Sequence, residues 1–176
     1  VMVRVAADTV ELGGATIARG SSDHAAHFLA YLVMARLGRL VTSLPMSLIT
    51  LYQSQIACKG LVSLAFSQSG QSPDLVAPTQ FFTQGGATTA AFVNKPDSPL
   101  AQAAQWVFPL HAGVEASVAA TKSYIAQLVA GARVVAAWQD DLVLQSALSA
   151  LPGVLSRAAH MDWSVALAAL RDVDRL

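Results

Sequence analysis

The chain has 176 residues, with 11 basic and 11 acidic side chains and a formal net charge of zero. Hydrophobic residues make up 54% of it and charged residues 12%, with a mean hydropathy of +0.49. This length fits one domain with an appended segment, and the apolar content excludes disorder as the main state. The charge balance disfavours a broad electrostatic footprint, so we expect no nucleic-acid partner.

The single cysteine, Cys58, excludes a disulfide framework and a cysteine-based metal cluster, and a cytoplasmic location is expected. The longest apolar stretch, residues 118–138, is interrupted by Lys122, Gln127 and Arg133. It therefore predicts a helix of a soluble domain, and we expect no membrane partner. The high apolar content also predicts an interface, and we expect a homodimer.

Short apolar runs alternate with helical stretches along the chain. Strands are predicted at residues 15–19, 39–44, 61–66, 87–93 and 106–110. Helices are predicted at residues 23–37, 45–55, 72–85, from 98, 118–138, 142–151 and 163–170. Strands that are apolar throughout and separated by helices indicate a parallel sheet covered on both faces. The predicted fold is a doubly wound α/β sandwich with a five-stranded parallel sheet.

A polar segment follows the third predicted strand, at the position where ligands bind in such folds. The sequence LVSLAF runs into Ser67, Gln68, Ser69, Gly70, Gln71 and Ser72, and then into Pro73. Hydroxyls, free backbone N–H groups and a helix N-terminus together favour an anion, most commonly phosphate. The alternative interpretation is an ordinary turn in which Ser72 only caps the next helix. The local pattern leaves both interpretations open.

Two further strand ends carry polar side chains. Ser21 and Ser22 follow the first strand and precede a helix, so they are candidate donors to the same anion. Lys122 lies near the start of the long helix after the fifth strand, where a solvent-facing lysine is the alternative. His24 and His27 lie three residues apart on a helix, without enough neighbouring ligands to predict a metal site.

Four segments carry a family resemblance: ARGSSDHAA, LAFSQSGQSPDL, FVNKPDSPLAQAAQWVFPLHAG and GVEASVAATKSYIAQL. Together they resemble the SIS (sugar isomerase) domain, a flavodoxin-like three-layer sandwich. They are most similar to the first of the two such domains in the isomerase half of glucosamine-6-phosphate synthases and related aminotransferase- and deaminase-like proteins. The resemblance implies a lead-in at residues 1–14, an SIS domain at 15–139, and a helical segment at 140–176 linking to a second SIS domain absent from this chain.

The resemblance also implies site residues. The phosphate would be bound by Ser67, Gln68, Ser69, Gly70 and Ser72, with Gln71 in place of the family's usual glutamate. The sugar would be bound by residues that follow the first strand and start the long helix: Ser21, Ser22, Val118, Ala120 and Lys122. Ala120 stands where the family has a serine. No catalytic residue can be carried over, because the family's proton-transfer groups belong mostly to the second domain.

The function implied is binding of a hexosamine or ketohexose 6-phosphate, of the glucosamine 6-phosphate or fructose 6-phosphate class. The chain would be half of an enzyme that couples aldose–ketose isomerisation to amination or deamination, like glutamine–fructose-6-phosphate aminotransferase or glucosamine-6-phosphate deaminase. Such a proton transfer requires no metal and no organic cofactor. The alternative is a non-catalytic SIS domain that senses a sugar phosphate.

Overall fold

A computed structural model describes residues 13–116, 119–171 and 173 of the chain. The strands are β1 (Gly13–Ile17), β2 (Val41–Ser43), β3 (Leu61–Ser67), β4 (Thr88–Val93) and β5 (Trp106–Pro109). The helices are α1 (Ser21–Leu37), α2 (Ser47–Thr50), α3 (Pro73–Gln84), α4 (Pro99–Ala103), α5 (Thr121–Trp138), α6 (Leu142–Ala159) and α7 (Ser164–Leu170). The predicted lead-in, residues 1–14, falls almost entirely outside the described residues.

The five strands form one parallel sheet in the order β2-β1-β3-β4-β5. All but the first residue of β3 are buried, as its continuous apolar run predicts for a strand covered on both faces. The prediction of a doubly wound, flavodoxin-like α/β fold is confirmed. Because the strands are parallel, their carboxyl ends share one border of the sheet, which we call the carboxyl edge.

Two apolar clusters place the helices on opposite faces of the sheet. α1 and α5 cover one face, where Leu29 and Val135 pack with Phe66 and Phe92. α3 and α4 cover the other, where Leu75 and Leu100 pack with strand residues that include Ile17 and Val93. Side chains alternate along each strand, so one apolar strand supplies both clusters. The result is a three-layer sandwich in which helices from both faces begin at the carboxyl edge.

Several element boundaries differ from the sequence predictions: β2 is shorter than residues 39–44, α5 starts at Thr121 rather than at 118, and α6 extends to Ala159 rather than ending at 151. Two further differences, in β1 and α2, have a cause in the backbone. β1 begins and ends two residues earlier than predicted, because Gly13 and Gly14 pair with β3. A Cβ atom on Gly14 would lie 2.5 Å from the Val62 side chain, so a glycine there permits close strand packing. The predicted helix to residue 55 ends at Thr50. Gln53 has a left-handed backbone with φ of +50°, which ends any right-handed helix.

Two compact units divide the chain, Val1–Asp141 and Leu142–Leu176. In the second unit, α6 runs without interruption through Pro152 and Gly153. Among the described helices, α6 alone is long and apolar enough to cross a membrane by length and composition. A single helix of this kind is weak support for a membrane span. The expectation of no membrane partner stays a prediction.

Candidate functional site

The carboxyl edge brings together the loops after β1, β3, β4 and β5. The backbone N–H of Asn94 donates to Gln68 O at 3.2 Å, which joins the loop after β4 to the loop after β3. The N–H of Leu100, in α4, donates to Gly70 O at 3.0 Å. These two bonds fix residues 67–72, which are the last residue of β3 and the loop that follows it, against the loop after β4 and against α4. We call this segment the serine turn.

The serine turn is held by its own side chains. Gly70 donates its N–H to Ser67 Oγ at 3.0 Å and has φ of +64°. Ser67 is buried, while Gln68 and Ser69 are half-buried. Ser67 therefore shapes the turn, and Ser69 is the more accessible of the two hydroxyls.

Ser72 occupies the N-cap position of α3 but makes no side-chain capping hydrogen bond. Its backbone carbonyl accepts from Leu75 at 3.0 Å and from Val76 at 3.1 Å, as in any helix start. Capping by the hydroxyl, which was the alternative interpretation of this segment, is therefore not what the structure describes. The Ser72 hydroxyl is left available beside the N-terminus of a 12-residue helix.

Gly70 is the tightest position of the serine turn. A Cβ atom on Gly70 would lie 2.1 Å from Ser98 Oγ and 2.5 Å from Ser98 Cβ. Ser98 is buried and caps α4 by accepting from the Ala101 N–H at 3.4 Å. The turn and the start of α4 thus pack directly together, and only glycine fits between them.

A small cavity of about 200 Å³ lies at the start of α1. Of the predicted sugar-binding residues, Ser21 and Ala120 line it, together with His24, Thr121 and Tyr124. The loop after β1 and the start of α5 are therefore adjacent. Val118, also predicted to bind the sugar, lies outside the described residues.

Ser22 and Lys122 are held by other contacts. Ser22 Oγ accepts a hydrogen bond of 3.0 Å from Gln127 Nε2, on α5. Lys122 Nζ donates to Val114 O at 2.5 Å, so in this structure the ammonium group holds the loop after β5. In the sequence Gln127 was noted only as an interruption of the apolar stretch 118–138, because a buried amide in a helical pattern gives no local signal of its partner.

A larger cleft of about 770 Å³ lies beside the serine turn. Gln68 and Ser69 line it together with Asn94, Lys95 and His111. Asn94 joins the loop after β4 to the loop after β5. Its Nδ2 donates to Gly113 O at 2.7 Å, and its Oδ1 accepts from the Ala112 N–H at 2.9 Å. Asn94 directly follows the end of β4, and this position is the feature of the sequence that indicates a residue of the site.

Glu115, also on the cleft, organises the start of α5. Its Oε2 accepts from the Ser123 N–H at 2.7 Å and from Ser123 Oγ at 2.9 Å. The backbone hydrogen bond from Ser123 is the main cause that holds the pKa of the Glu115 carboxyl below its ordinary value. Glu115 is therefore ionised at neutral pH and fixes the loop between β5 and α5.

We expect Glu115→Gln to lower the unfolding temperature at neutral pH and to lose this effect in acid. A folded-state pKa below the unfolded value adds stability above the unfolded pKa, and that stability is lost as pH falls through the folded pKa. The ordinary carboxyl value is 4.5, so the difference between the two proteins should shrink below it. Thermal unfolding from about pH 7 to about pH 3 measures this.

The control for this experiment is Asp97→Asn, which alters an exposed carboxylate with no described side-chain hydrogen bond. A stability difference between wild type and Glu115→Gln that stays constant across the pH range would contradict the capping role of the carboxylate.

The described residues contain no group of three or more His, Cys, Asp and Glu side chains that could hold a metal ion. His27 Nδ1 lies 2.9 Å from the backbone oxygen of Asp23, and this hydrogen bond within α1 engages that ring nitrogen. What the edge offers instead is hydroxyl and amide groups together with helix N-termini, which suits an anionic or polyhydroxylated ligand.

Comparison with known protein families gives a match to the SIS domain over residues 15–137. A curated relative, glutamine–fructose-6-phosphate aminotransferase (isomerizing) from Zymomonas mobilis, is 31% identical over 121 residues. That match covers 69% of this chain and 20% of the relative. The chain therefore spans about a fifth of the length of this aminotransferase.

Solved structures show the same fold. A protein from Silicibacter pomeroyi DSS-3, described as a phosphosugar isomerase, has a TM-score of 0.87 and 40% identity, covering 95% of this chain and 53% of the other. The Vibrio vulnificus NanR protein, solved in complex with ManNAc-6P, has a TM-score of 0.64 and 14% identity, covering 89% of this chain and 60% of the other. At that identity the second likeness concerns the fold alone.

Proposed function

Since the chain belongs to the SIS domain family, we propose that it binds a phosphorylated sugar at the carboxyl edge, with the phosphate in the serine turn. The observation that carries the proposal is Ser72, an N-cap residue whose hydroxyl is not used for capping. Together with Ser69, it supplies hydroxyl donors beside the N-terminus of α3, where the Asp74 N–H has no intrahelical acceptor. A phosphate is the anion that such a site accommodates best.

The charges around the serine turn are compatible with a bound anion. Asp74, in the first turn of α3, would repel a phosphate nearby, but Arg19 forms an ion pair with it. The helix dipole adds a partial positive charge at the same end. Lys95 lines the adjacent cleft and is exposed. Glu115 lines the same cleft and offsets the charge of Lys95. The serine turn itself contains no charged side chain, so the partial charge of the helix end is available to a bound anion.

The sugar would extend from the serine turn into the adjoining space. Ser21 and Ala120 line the cavity at the start of α1, and Gln68 and Asn94 line the larger cleft. Phosphate anchoring fixes a small, flexible sugar so that its reacting carbons are held in one place. We propose a hexosamine or ketohexose 6-phosphate as the ligand, in keeping with the reaction named for the Zymomonas relative.

For the whole protein we propose aldose–ketose isomerisation coupled to amination or deamination. The step is a proton transfer between adjacent sugar carbons, which needs a general base close to the C1–C2 bond. We assign no base within this chain, because Glu115 and Lys122 are engaged in holding the loop before α5. A sugar-phosphate sensor would use the same binding site, and turnover by the whole protein distinguishes the two functions.

The test is calorimetric titration with glucosamine 6-phosphate and fructose 6-phosphate, using glucosamine and fructose as controls. A hydrogen bond to a charged group contributes about 1.5–3 kcal/mol, so Ser69→Ala should weaken binding roughly 10- to 100-fold. Thr88→Val is the matched control, because it removes a hydroxyl at the opposite, amino end of β4. Equal binding of phosphorylated and unphosphorylated sugars, or no effect of Ser69→Ala, would refute the assignment.

A further inference from the structure

We propose that Gln127 is a positioning residue that turns the Ser22 hydroxyl into a hydrogen-bond donor facing the bound sugar phosphate. This inference rests on the proposed function. It concerns a contact between α5 and α1, which are separated by about a hundred residues in the chain. Gln127 itself does not touch the ligand in this proposal and acts only through Ser22.

The position of Gln127 is unusual for a glutamine. It lies within α5, is 1% exposed, and belongs to the helix that packs on the α1 side of the sheet. Its Nε2 donates to Ser22 Oγ at 3.0 Å. Its Oε1 is buried and has no hydrogen-bond partner among the described residues. A buried amide with one end unpaired is less stable than an apolar side chain of the same size.

The hydrogen bond from Gln127 determines whether the Ser22 hydroxyl acts toward a ligand as a donor or as an acceptor. A serine hydroxyl can donate one hydrogen bond and accept others. The hydrogen bond from Gln127 uses one lone pair of Ser22 Oγ as its acceptor. The hydroxyl proton of Ser22 then remains free to be donated to another group. Among the residues that the structure describes, the bond from Gln127 is the one side-chain hydrogen bond of Ser22, and Ser22 is half-buried rather than enclosed.

Ser22 itself lies at the carboxyl edge, next to a residue that lines a cavity. Ser22 is in the first turn of α1, and its neighbour Ser21 lines the cavity of about 200 Å³ described above. The N-cap residue is Gly20, which has no side chain to satisfy the free N–H groups at this helix end. A ligand oxygen there would accept from the Ser22 hydroxyl and from the helix N-terminus together. Gln127 thus favours ligands that present an oxygen acceptor.

A double-mutant cycle on the full chain tests the coupling. Wild type, Gln127→Met, Ser22→Ala and the double variant are titrated with the sugar phosphate, and their unfolding temperatures are measured. We expect Gln127→Met to weaken binding by roughly 3- to 10-fold in the Ser22 background and by less than about 2-fold in the Ser22→Ala background. Its unfolding temperature should be equal to or above that of wild type, because the unpaired amide is gone.

Gln127→Leu provides a second apolar variant if Gln127→Met does not fold. Equal losses of affinity in both Ser22 backgrounds would overturn the inference, as would lost affinity accompanied by a lower unfolding temperature. If binding depends on Ser69 but the cycle shows no coupling between Gln127 and Ser22, the positioning role of Gln127 is rejected and the proposed function stands. No binding by folded wild type would reject the proposed function, and this inference with it.

Discussion

Gly70→Ala is expected to lower the free energy of unfolding by about 2–5 kcal/mol and to abolish phosphate-dependent binding. Two causes add. The backbone at Gly70 has φ of +64°, a conformation that strains any residue with a Cβ atom. The added Cβ would also lie 2.1 Å from Ser98 Oγ, so the serine turn or α4 must shift. Denaturant unfolding and titration with glucosamine 6-phosphate measure the two effects.

Gly38→Ala is the matched control for backbone strain. Gly38 ends α1 with φ of +63°, and no atom lies within 4 Å of the position that a Cβ would take. Gly38→Ala should therefore lower the free energy of unfolding by about 1–2 kcal/mol through backbone strain alone, and sugar-phosphate binding should be unchanged. Ser98→Gly should recover part of the stability lost by Gly70→Ala, since it removes both close atoms. Equal losses at Gly70 and Gly38 would refute the steric explanation.

Phe92→Ala is expected to be the most destabilising single truncation in the core, at about 3–5 kcal/mol. Phe92 is fully buried on β4, an interior strand between β3 and β5. Its ring is stacked on Phe66 of β3, with centroids 4.3 Å apart, and on Phe108 of β5, with centroids 4.7 Å apart. These three residues are partners in the strand register, so truncation opens a gap across three strands.

Equilibrium unfolding of two further variants separates burial from stacking. Phe92→Leu keeps most of the apolar volume. Its free energy of unfolding should fall by the stacking contribution and by a further amount of about 1.5 kcal/mol at most. Phe28→Ala truncates a phenylalanine that is 39% exposed on α1 and should have a smaller effect than Phe92→Ala. A loss at Phe92 no larger than that at Phe28 would contradict the central role of the stacked rings.

The architecture could be predicted from the sequence because its strands are buried on both faces. Runs such as LVSLAF have no polar alternation, and this pattern indicates a parallel sheet between helices. The start of β1 was missed because Gly13 and Gly14 resemble a loop in sequence. The reason for glycine there is a close approach between strands, which depends on residue Val62 in a distant segment.

The candidate site could be located from the sequence but its internal contacts could not. Strand ends placed the serine turn and Ser21 at one edge, since parallel strands end together. The bond from Gln127 to Ser22 joins residues 105 apart, and the bond from Lys122 to Val114 depends on the shape of one loop. No local pattern encodes such pairs. The roles predicted for individual residues in ligand binding remain predictions.

The lengths of the outer strands have a consequence for association with other chains. Within the described residues, β2 and β5 border the sheet with three and four residues, and β5 ends in Pro109. Proline has no backbone N–H, and so few free hydrogen-bonding groups are offered to an incoming strand. Short border strands disfavour sheet extension between molecules, the first step of amyloid-like polymerisation, and Pro109 adds to this effect at the β5 border. Within the described sheet, short border strands therefore limit strand pairing between molecules in a chain whose net charge is zero.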